Sequence, residues 1–161
     1  MRQRAIRRSS GRYSGPPPPG CAGACAQTNL QAVFGAARGP FERAQHGNAG
    51  AGTLRVEAHL GGDPACPNER SPTPRRTLVL TGIRATADAT PQTEAEGVRA
   101  TLFDFTGDLV TLPLLRATAV RVVPRAWTRD GWVSLDLSVT LPGGTIAGGL
   151  FAPHCPSLDG P

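Results

Sequence analysis

The sequence contains no lysine, since all 17 of its basic residues are arginine. Schiff-base chemistry and the phosphate-binding loop GxxxxGK[ST] both need a primary amine, so both are excluded. The serine-hydrolase motif GxSxG and the zinc-protease motif HExxH are also missing. The sequence therefore predicts no cofactor, no metal site and no catalytic residue, and a function other than that of an enzyme.

Acidic residues are missing from the first 30 positions, which contain five arginines. Residues 31–161 contain 12 arginines and 12 acidic residues, so their net charge is zero, while the whole chain carries +5. Long-range attraction of polyanions therefore belongs to the N-terminal segment alone. We expect the body not to bind nucleic acid. The Arg-rich N-terminal segment is the part that would bind nucleic acid or a membrane surface, the latter through its charge or through a lipidated cysteine.

Long apolar runs are missing as well, and no segment approaches the roughly 20 residues of a membrane span. After the first arginines comes an uncharged stretch with small residues around Cys21 and Cys25, which is the outline of a secretory signal. Prolines 16–19 stand where such a signal needs an apolar helix. The sequence predicts a disordered Arg/Pro/Gly-rich leader over residues 1–27. Cys21 and Cys25 are candidates for lipidation or for pairing, and the role of the leader in export stays open.

The other two cysteines, Cys66 and Cys155, are each flanked by proline in polar, irregular surroundings. A buried free thiol is usually found among apolar residues instead, so these positions favour a disulfide. Closing a loop of about 90 residues stabilises by roughly 4.5 kcal/mol in the chain-entropy model. The alternative, a zinc site that includes His154, lacks the second closely spaced cysteine pair. The disulfide predicts an oxidising, extracytoplasmic compartment, either secreted or attached to the cell envelope.

Hydrophobic periodicity changes along the chain. Between residues 28 and 37 the apolar side chains follow helical spacing, which predicts a short helix, and a flexible linker continues to residue 52. From Thr53 the period is two, and turn residues separate about seven short strands. No helical pattern lies between these strands. The sequence predicts an all-β domain over residues 53–161, a single antiparallel β-sandwich or small barrel.

One short segment suggests a specific chemistry. Residues 100–109, ATLFDFTGDL, resemble the first motif of the haloacid-dehalogenase-like phosphatases, D-x-[DT]-G-T-[LV] after a hydrophobic strand. The resemblance implies that Asp104 is a nucleophile and that Thr106 occupies the acid/base position. Asp108 departs from the threonine of the motif, and the family's lysine is absent. The alternative is a hairpin turn, in which Gly and Asp supply the unusual backbone angles.

The two tryptophans, Trp127 and Trp132, flank a four-residue turn. They are expected to face each other across the hairpin, where an aromatic pair adds about 0.5–1.5 kcal/mol beyond its buried area. The alternative is an exposed platform on which a sugar or another flat ligand stacks.

The spacing of DPACP, SPTPRRTLVL and the terminal HCPSLD resembles that of uncharacterised, cysteine-tied, β-rich envelope lipoproteins of GC-rich bacteria. This resemblance covers residues 53–160 and implies attachment to the envelope, without an assigned activity. Taken together, the sequence predicts an extracytoplasmic binding or structural module.

Overall fold

The structure, a computed structural model, describes residues 20–86 and 88–160. Within this part of the chain the fold consists of eleven strands and three short 3₁₀ turns. The strands are β1 (Asn29–Phe34), β2 (Ala37–Phe41), β3 (Arg43–Asn48), β4 (Thr53–Leu60), β5 (Arg76–Arg84), β6 (Gln92–Thr93), β7 (Arg99–Asp104), β8 (Leu114–Arg116), β9 (Ala119–Thr128), β10 (Trp132–Leu141) and β11 (Gly144–Pro153). The 3₁₀ turns are Gly23–Ala26, Glu94–Glu96 and Pro156–Leu158.

These strands form two antiparallel sheets. One has the order β2-β1-β11-β10-β9-β6 and the other the order β3-β4-β5-β7-β8. The sheets are not closed into a barrel. The all-β prediction is confirmed, whereas the barrel alternative is wrong and the number of strands exceeds the seven expected.

Alternation of side chains along the strands builds one core between the sheets. In β10, Val133, Leu135 and Leu137 are buried while Asp136 and Ser138 on the other face are exposed. A single hydrophobic cluster combines such inward residues from both sheets. Because a sheet that is apolar on one face must cover that face, the two sheets stabilise each other through this shared core.

The predicted helix and linker over residues 28–52 are wrong, because this segment forms β1, β2 and β3. Leu30, Ala32 and Phe34 point inward with a period of two, and β1 pairs with β11 at the far end of the chain. The helical spacing seen in the sequence includes Val33, which is only partly buried. Pairing with a distant strand therefore decides between two patterns that the local sequence supports equally.

The predicted leader is wrong for residues 20–27, which pack on the outer face of the six-stranded sheet. Cys21 is 1% exposed and forms an apolar cluster with Trp132 and Phe151. The hydroxyl of Ser134 donates to the carbonyl oxygen of Cys25 at 2.6 Å. These contacts make residues 20–27 part of the body. Residues 1–19 of the predicted leader lie outside the described part of the chain.

The C-terminal segment covers the edge of the five-stranded sheet at β3. Cys155 N donates to His46 O at 2.7 Å, and Gly160 N donates to Asn48 O at the same distance. The Cys66–Cys155 disulfide joins this segment to the proline-rich loop that connects β4 and β5. One edge strand is thereby protected from pairing with another chain.

Candidate functional site

The two tryptophans do not face each other. In the β9–β10 ladder Trp127 lies opposite Val133, and Trp132 lies opposite Thr128. Val133 belongs to the core, so Trp127, which lies opposite it, is on the core side of the sheet. Trp132 precedes Val133 in β10 and therefore points to the outer side, because neighbouring residues of a strand point to opposite faces. The predicted aromatic clamp and the shared platform are therefore both wrong. Trp132 is 6% exposed and stacks on Phe151 with ring centroids 5.5 Å apart.

Trp127 instead contributes to a groove at one end of the two-sheet body. The groove has a volume of about 370 Å³ and lies between the β3–β4 turn, the segment after β5 and the β9–β10 turn. A second depression of about 420 Å³ shares Gly52 and Ala85 with it. We call the two depressions together the Trp127 groove. The residues around Trp127 are Asn48, Gly50, Gly52, Thr53, Ala85 and Arg129, and those of the second depression include Arg84, Thr86, Asp88, Thr90 and Gln92.

Trp127 itself is half-buried and packs against the core. Its indole Nε1 is shielded from solvent and has no hydrogen-bond partner among the described residues. A buried indole N–H normally has an acceptor, because an unpaired buried donor costs about 1–3 kcal/mol. Trp127 thus offers the groove an apolar ring, whereas its shielded Nε1–H is not accessible to a ligand in the groove.

Strained backbone is also found at this end of the molecule. Among the described residues other than glycine, only Ala51 and Asp130 have positive φ angles, of 51° and 54°. Ala51 lines the groove, and Asp130 accepts a hydrogen bond from Asn48 Nδ2 at 3.0 Å. Left-handed backbone at such residues costs of order 1–3 kcal/mol and is concentrated at binding sites.

Asp104 closes a loop and is not free to act as a nucleophile. It is 3% exposed, and its two oxygens accept from the backbone N–H groups of Thr106, Gly107, Leu109 and Val110 at 2.8–3.3 Å. Burial alone would raise the pKa of Asp104, but these hydrogen bonds outweigh it and hold the pKa below its ordinary value. The structure therefore supports the turn interpretation of this motif.

A group of polar residues lies beside the groove, where the C-terminal segment crosses β3. The rings of His46 and His154 are 5.3 Å apart, and His154 Nε2 is 2.9 Å from Asp159 Oδ1. His46 is completely buried, and its Nδ1 donates to Ala152 O at 2.7 Å. Burial lowers the pKa of His46 despite this bond. His46 is thus held neutral between the C-terminal segment and β11.

A small cavity lies beneath the proline-rich loop. Its volume is about 30 Å³, which is room for one water molecule. Gln45 and His59 line it and are buried. Gln45 Oε1 has no hydrogen-bond partner among the described residues, and His59 Nε2 lies 3.4 Å from Glu57 Oε2. Its size suits a structural water that satisfies these atoms and excludes an organic ligand.

The cysteines form two disulfides. The Cys66–Cys155 bridge predicted from the sequence is present, with Cα atoms 5.4 Å apart. Cys21 and Cys25 are also joined to each other. Because a lipid thioether needs a free thiol, lipidation at either position is incompatible with this bridge. Two disulfides suggest an oxidising, extracytoplasmic environment.

Neither a metal centre nor a relative supplies further information about the site. In residues 20–86 and 88–160 no group of three His, Cys, Asp or Glu side chains is arranged to hold a metal ion. Within the same residues no helix combines the length and the apolar character needed to cross a membrane. Comparisons with protein-family models, curated proteins and solved structures found no match.

Sequence reasoning missed the groove, because its walls come from three connections far apart in the chain. Trp127 was the one groove residue that the sequence singled out. The unusual Gly-rich turn at residues 49–52 was the other available signal, since it predicts left-handed backbone.

Proposed function

We propose that this chain is a non-enzymatic binding module of the extracytoplasmic space, a β-sandwich that holds a saccharide in the Trp127 groove. The observation that carries the proposal is the half-buried Trp127, which lines the groove with its aromatic side chain. A sugar presents an apolar C–H face that packs on an indole, and hydroxyl groups that hydrogen-bond to polar side chains beside the ring.

Several further features support a saccharide over a charged ligand. Arg129, which lies near Trp127, supplies hydrogen-bond donors to neutral oxygens, and the Thr53 hydroxyl, which donates to Gly50 O, still accepts. In the second depression Asp88 stands near Arg84, so the groove has both signs of charge. Its volume falls in the range of about 300–1,000 Å³ that is typical of small-molecule sites. The two disulfides support a role outside the cytoplasm.

Titration with soluble cello-, chito- and malto-oligosaccharides, followed by calorimetry, tests the proposal. We expect one of these series to bind, and Trp127→Ala to weaken it at least about tenfold, because the aromatic stacking is lost. Trp127→Phe keeps an aromatic ring and should therefore weaken binding less than Trp127→Ala. Arg129→Ala, an exposed change in the groove, tests the site without disturbing the core.

The matched control is Arg121→Ala, an exposed arginine on the same strand β9 that does not line the groove. It should leave binding unchanged. Absence of binding to every series would refute the saccharide assignment. Binding that survives both Trp127→Ala and Arg129→Ala would place the site elsewhere.

A further inference from the structure

Exposed large apolar side chains are confined to one place on the described molecule. They are Phe105, Leu112 and Leu114, which are 51%, 58% and 40% exposed. All three belong to the connection between β7 and β8 or to β8 itself. Isolated exposed leucines need no explanation, but a contiguous apolar patch marks a surface that contacts another body.

Strand pairing brings these side chains together. Phe103 and Phe105 stack with ring centroids 6.0 Å apart, and Leu114 lies opposite Phe103 in the β7–β8 ladder. Asp104 N donates to Pro113 O, which carries the pairing one residue further toward Leu112. Phe103, Phe105, Leu112 and Leu114 therefore form one surface, which we call the apolar patch.

The connection that carries the patch is held firmly. The Asp104 carboxylate accepts hydrogen bonds from four backbone N–H groups of the loop. Leu109 is buried in the core, with 7% exposure. An arrangement with an anchored backbone keeps the apolar side chains in solvent, because the loop is not free to fold them inward.

One cation lies next to the patch. Arg116 lies two residues after Leu114 on the same face of β8 and has no carboxylate partner among the described residues. Arg99, at the other end of β7, donates to the carbonyl oxygens of Glu94 and Val98 and interacts with the Glu94 carboxylate. Of the nearby acids, Asp104 is buried and Asp108 pairs with Arg75. The patch therefore combines exposed aromatic and aliphatic groups with positive charge that is not neutralised.

We propose that the apolar patch docks on a membrane surface that contains anionic lipid, with Phe105 and Leu112 entering the interfacial region and Arg116 contacting headgroup phosphates. Charge complementarity carries the choice of occupant. A second copy of the chain bound through the same face would bring the unneutralised arginines of both copies together, which opposes association.

The N-terminal sequence supplies additional positive charge, although the described chain begins at the groove end, where Cys21 packs on Trp132. Five arginines and no acidic residue lie in the first 30 positions. Stable attachment to a membrane generally needs two signals, and a polybasic segment together with an apolar insertion is one such combination. This inference is independent of the saccharide proposal, since it uses none of the groove residues.

The membrane orientation follows from the register of the five-stranded sheet. In the strand register, Arg76 at the start of β5 lies opposite Asp104 of β7. Arg84 at the end of β5 lies opposite Thr53 of β4, beside the groove. The apolar patch and the Trp127 groove therefore lie at opposite ends of this sheet. A protein docked through the patch holds its groove away from the bilayer.

Sedimentation of the full-length protein with vesicles tests the proposal. Binding to phosphatidylcholine vesicles that contain phosphatidylglycerol should exceed binding to pure phosphatidylcholine. The double variant Phe105→Ser, Leu112→Ser should bind about 100-fold more weakly, on the order of tenfold for each apolar side chain removed. Arg116→Gln should cost about fivefold, as expected for one interfacial arginine. Arg121→Gln, an exposed arginine on the other sheet, is the matched control and should not change binding.

Insertion itself is measured with Phe105→Trp. Its fluorescence should shift to the blue on vesicle binding and be quenched by brominated acyl chains, relative to the two native tryptophans. All altered side chains are exposed, so the thermal midpoints should stay within a few degrees of the native protein.

Several results would overturn the proposal. The double variant binding as tightly as the native protein would mean that the basic N-terminus alone contacts the vesicle. A native dimer that the double variant converts to monomer would assign the patch to a second copy. Binding of soluble polyglutamate that both the double variant and Arg116→Gln weaken, without vesicle binding, would assign it to an acidic protein.

Discussion

Replacing Asp104 by Asn tests how the β7–β8 connection is held. The native carboxylate is 3% exposed, and both of its oxygens accept backbone N–H groups. Asn has the same shape but only one acceptor oxygen, and its NH₂ group would face N–H donors in place of the other. Two N–H groups then lose their acceptor, either those of Thr106 and Gly107 or those of Leu109 and Val110.

The expected loss is about 3 kcal/mol of unfolding free energy. Each hydrogen bond to a charged group contributes about 1.5–3 kcal/mol, and relaxation of the loop toward water recovers part of the loss. Asp136→Asn is the matched control, since Asp136 is exposed and pairs only with Arg125 across the β9–β10 ladder. A partly exposed ion pair of this kind contributes at most about 1 kcal/mol.

The pH dependence gives an independent measurement on the same variants. The folded-state pKa of Asp104 lies below its unfolded value of about 3.9, so its contribution to stability is present above that value and is lost as the pH falls through the folded pKa. The stability difference between the native protein and Asp104→Asn should therefore narrow from pH 7 to strongly acidic pH. Other carboxylates titrate equally in both proteins and cancel in this difference.

Urea unfolding at neutral and acidic pH, monitored by tryptophan fluorescence, provides both numbers. The reasoning is refuted if Asp104→Asn costs no more than Asp136→Asn at neutral pH. It is also refuted if the difference does not change with pH. Phosphatase activity that depends on Asp104 in an otherwise stable variant would revive the nucleophile hypothesis.

Two further predictions concern the disulfides and the outer cluster. The double variant Cys66→Ser, Cys155→Ser should lose up to about 4.5 kcal/mol of unfolding free energy, because the entropy of loop closure grows with loop length. The Cys21–Cys25 bridge closes a much shorter loop, so the double variant Cys21→Ser, Cys25→Ser should lose about 2 kcal/mol. Equal urea midpoints for the two double variants would contradict this prediction. Trp132→Ala should destabilise by about 3–5 kcal/mol and release residues 20–27 from Phe151. Hydrogen exchange should then increase in residues 20–27 and remain low in β4 and β5, and unchanged exchange in residues 20–27 would show that Trp132 does not hold this segment.

The sequence predicts the strands from Thr53 onward because their alternation is repeated and strong. It fails for β1, where Leu30 and Phe34 satisfy a helical and a strand period together. Only the partner strand β11, more than a hundred residues away, resolves this ambiguity, and local sequence contains no information about that partner.

Surface assignments fail for a related reason. Alternation along β4 places His59 on the outer face of the sheet, where exposure is the ordinary expectation. The proline-rich loop covers this face, and His59 is only 8% exposed. The cysteines were more informative, since prolines near Cys66 and Cys155 disfavour a buried position in regular structure and favour a covalent tie, which the structure contains.

Net charge gives little information about how the body meets a surface. Residues 31–161 sum to zero, which argues against long-range attraction of polyanions. The acids are not distributed evenly, however. The Asp104 carboxylate is occupied by backbone N–H groups and Asp108 is paired with Arg75, so Arg116 has no carboxylate partner beside the apolar patch. Within a Debye length of about 8 Å this local imbalance acts as positive charge, even though the sum over the body vanishes. Contact with an anionic bilayer therefore depends on which carboxylates the fold removes, a property that composition alone does not contain.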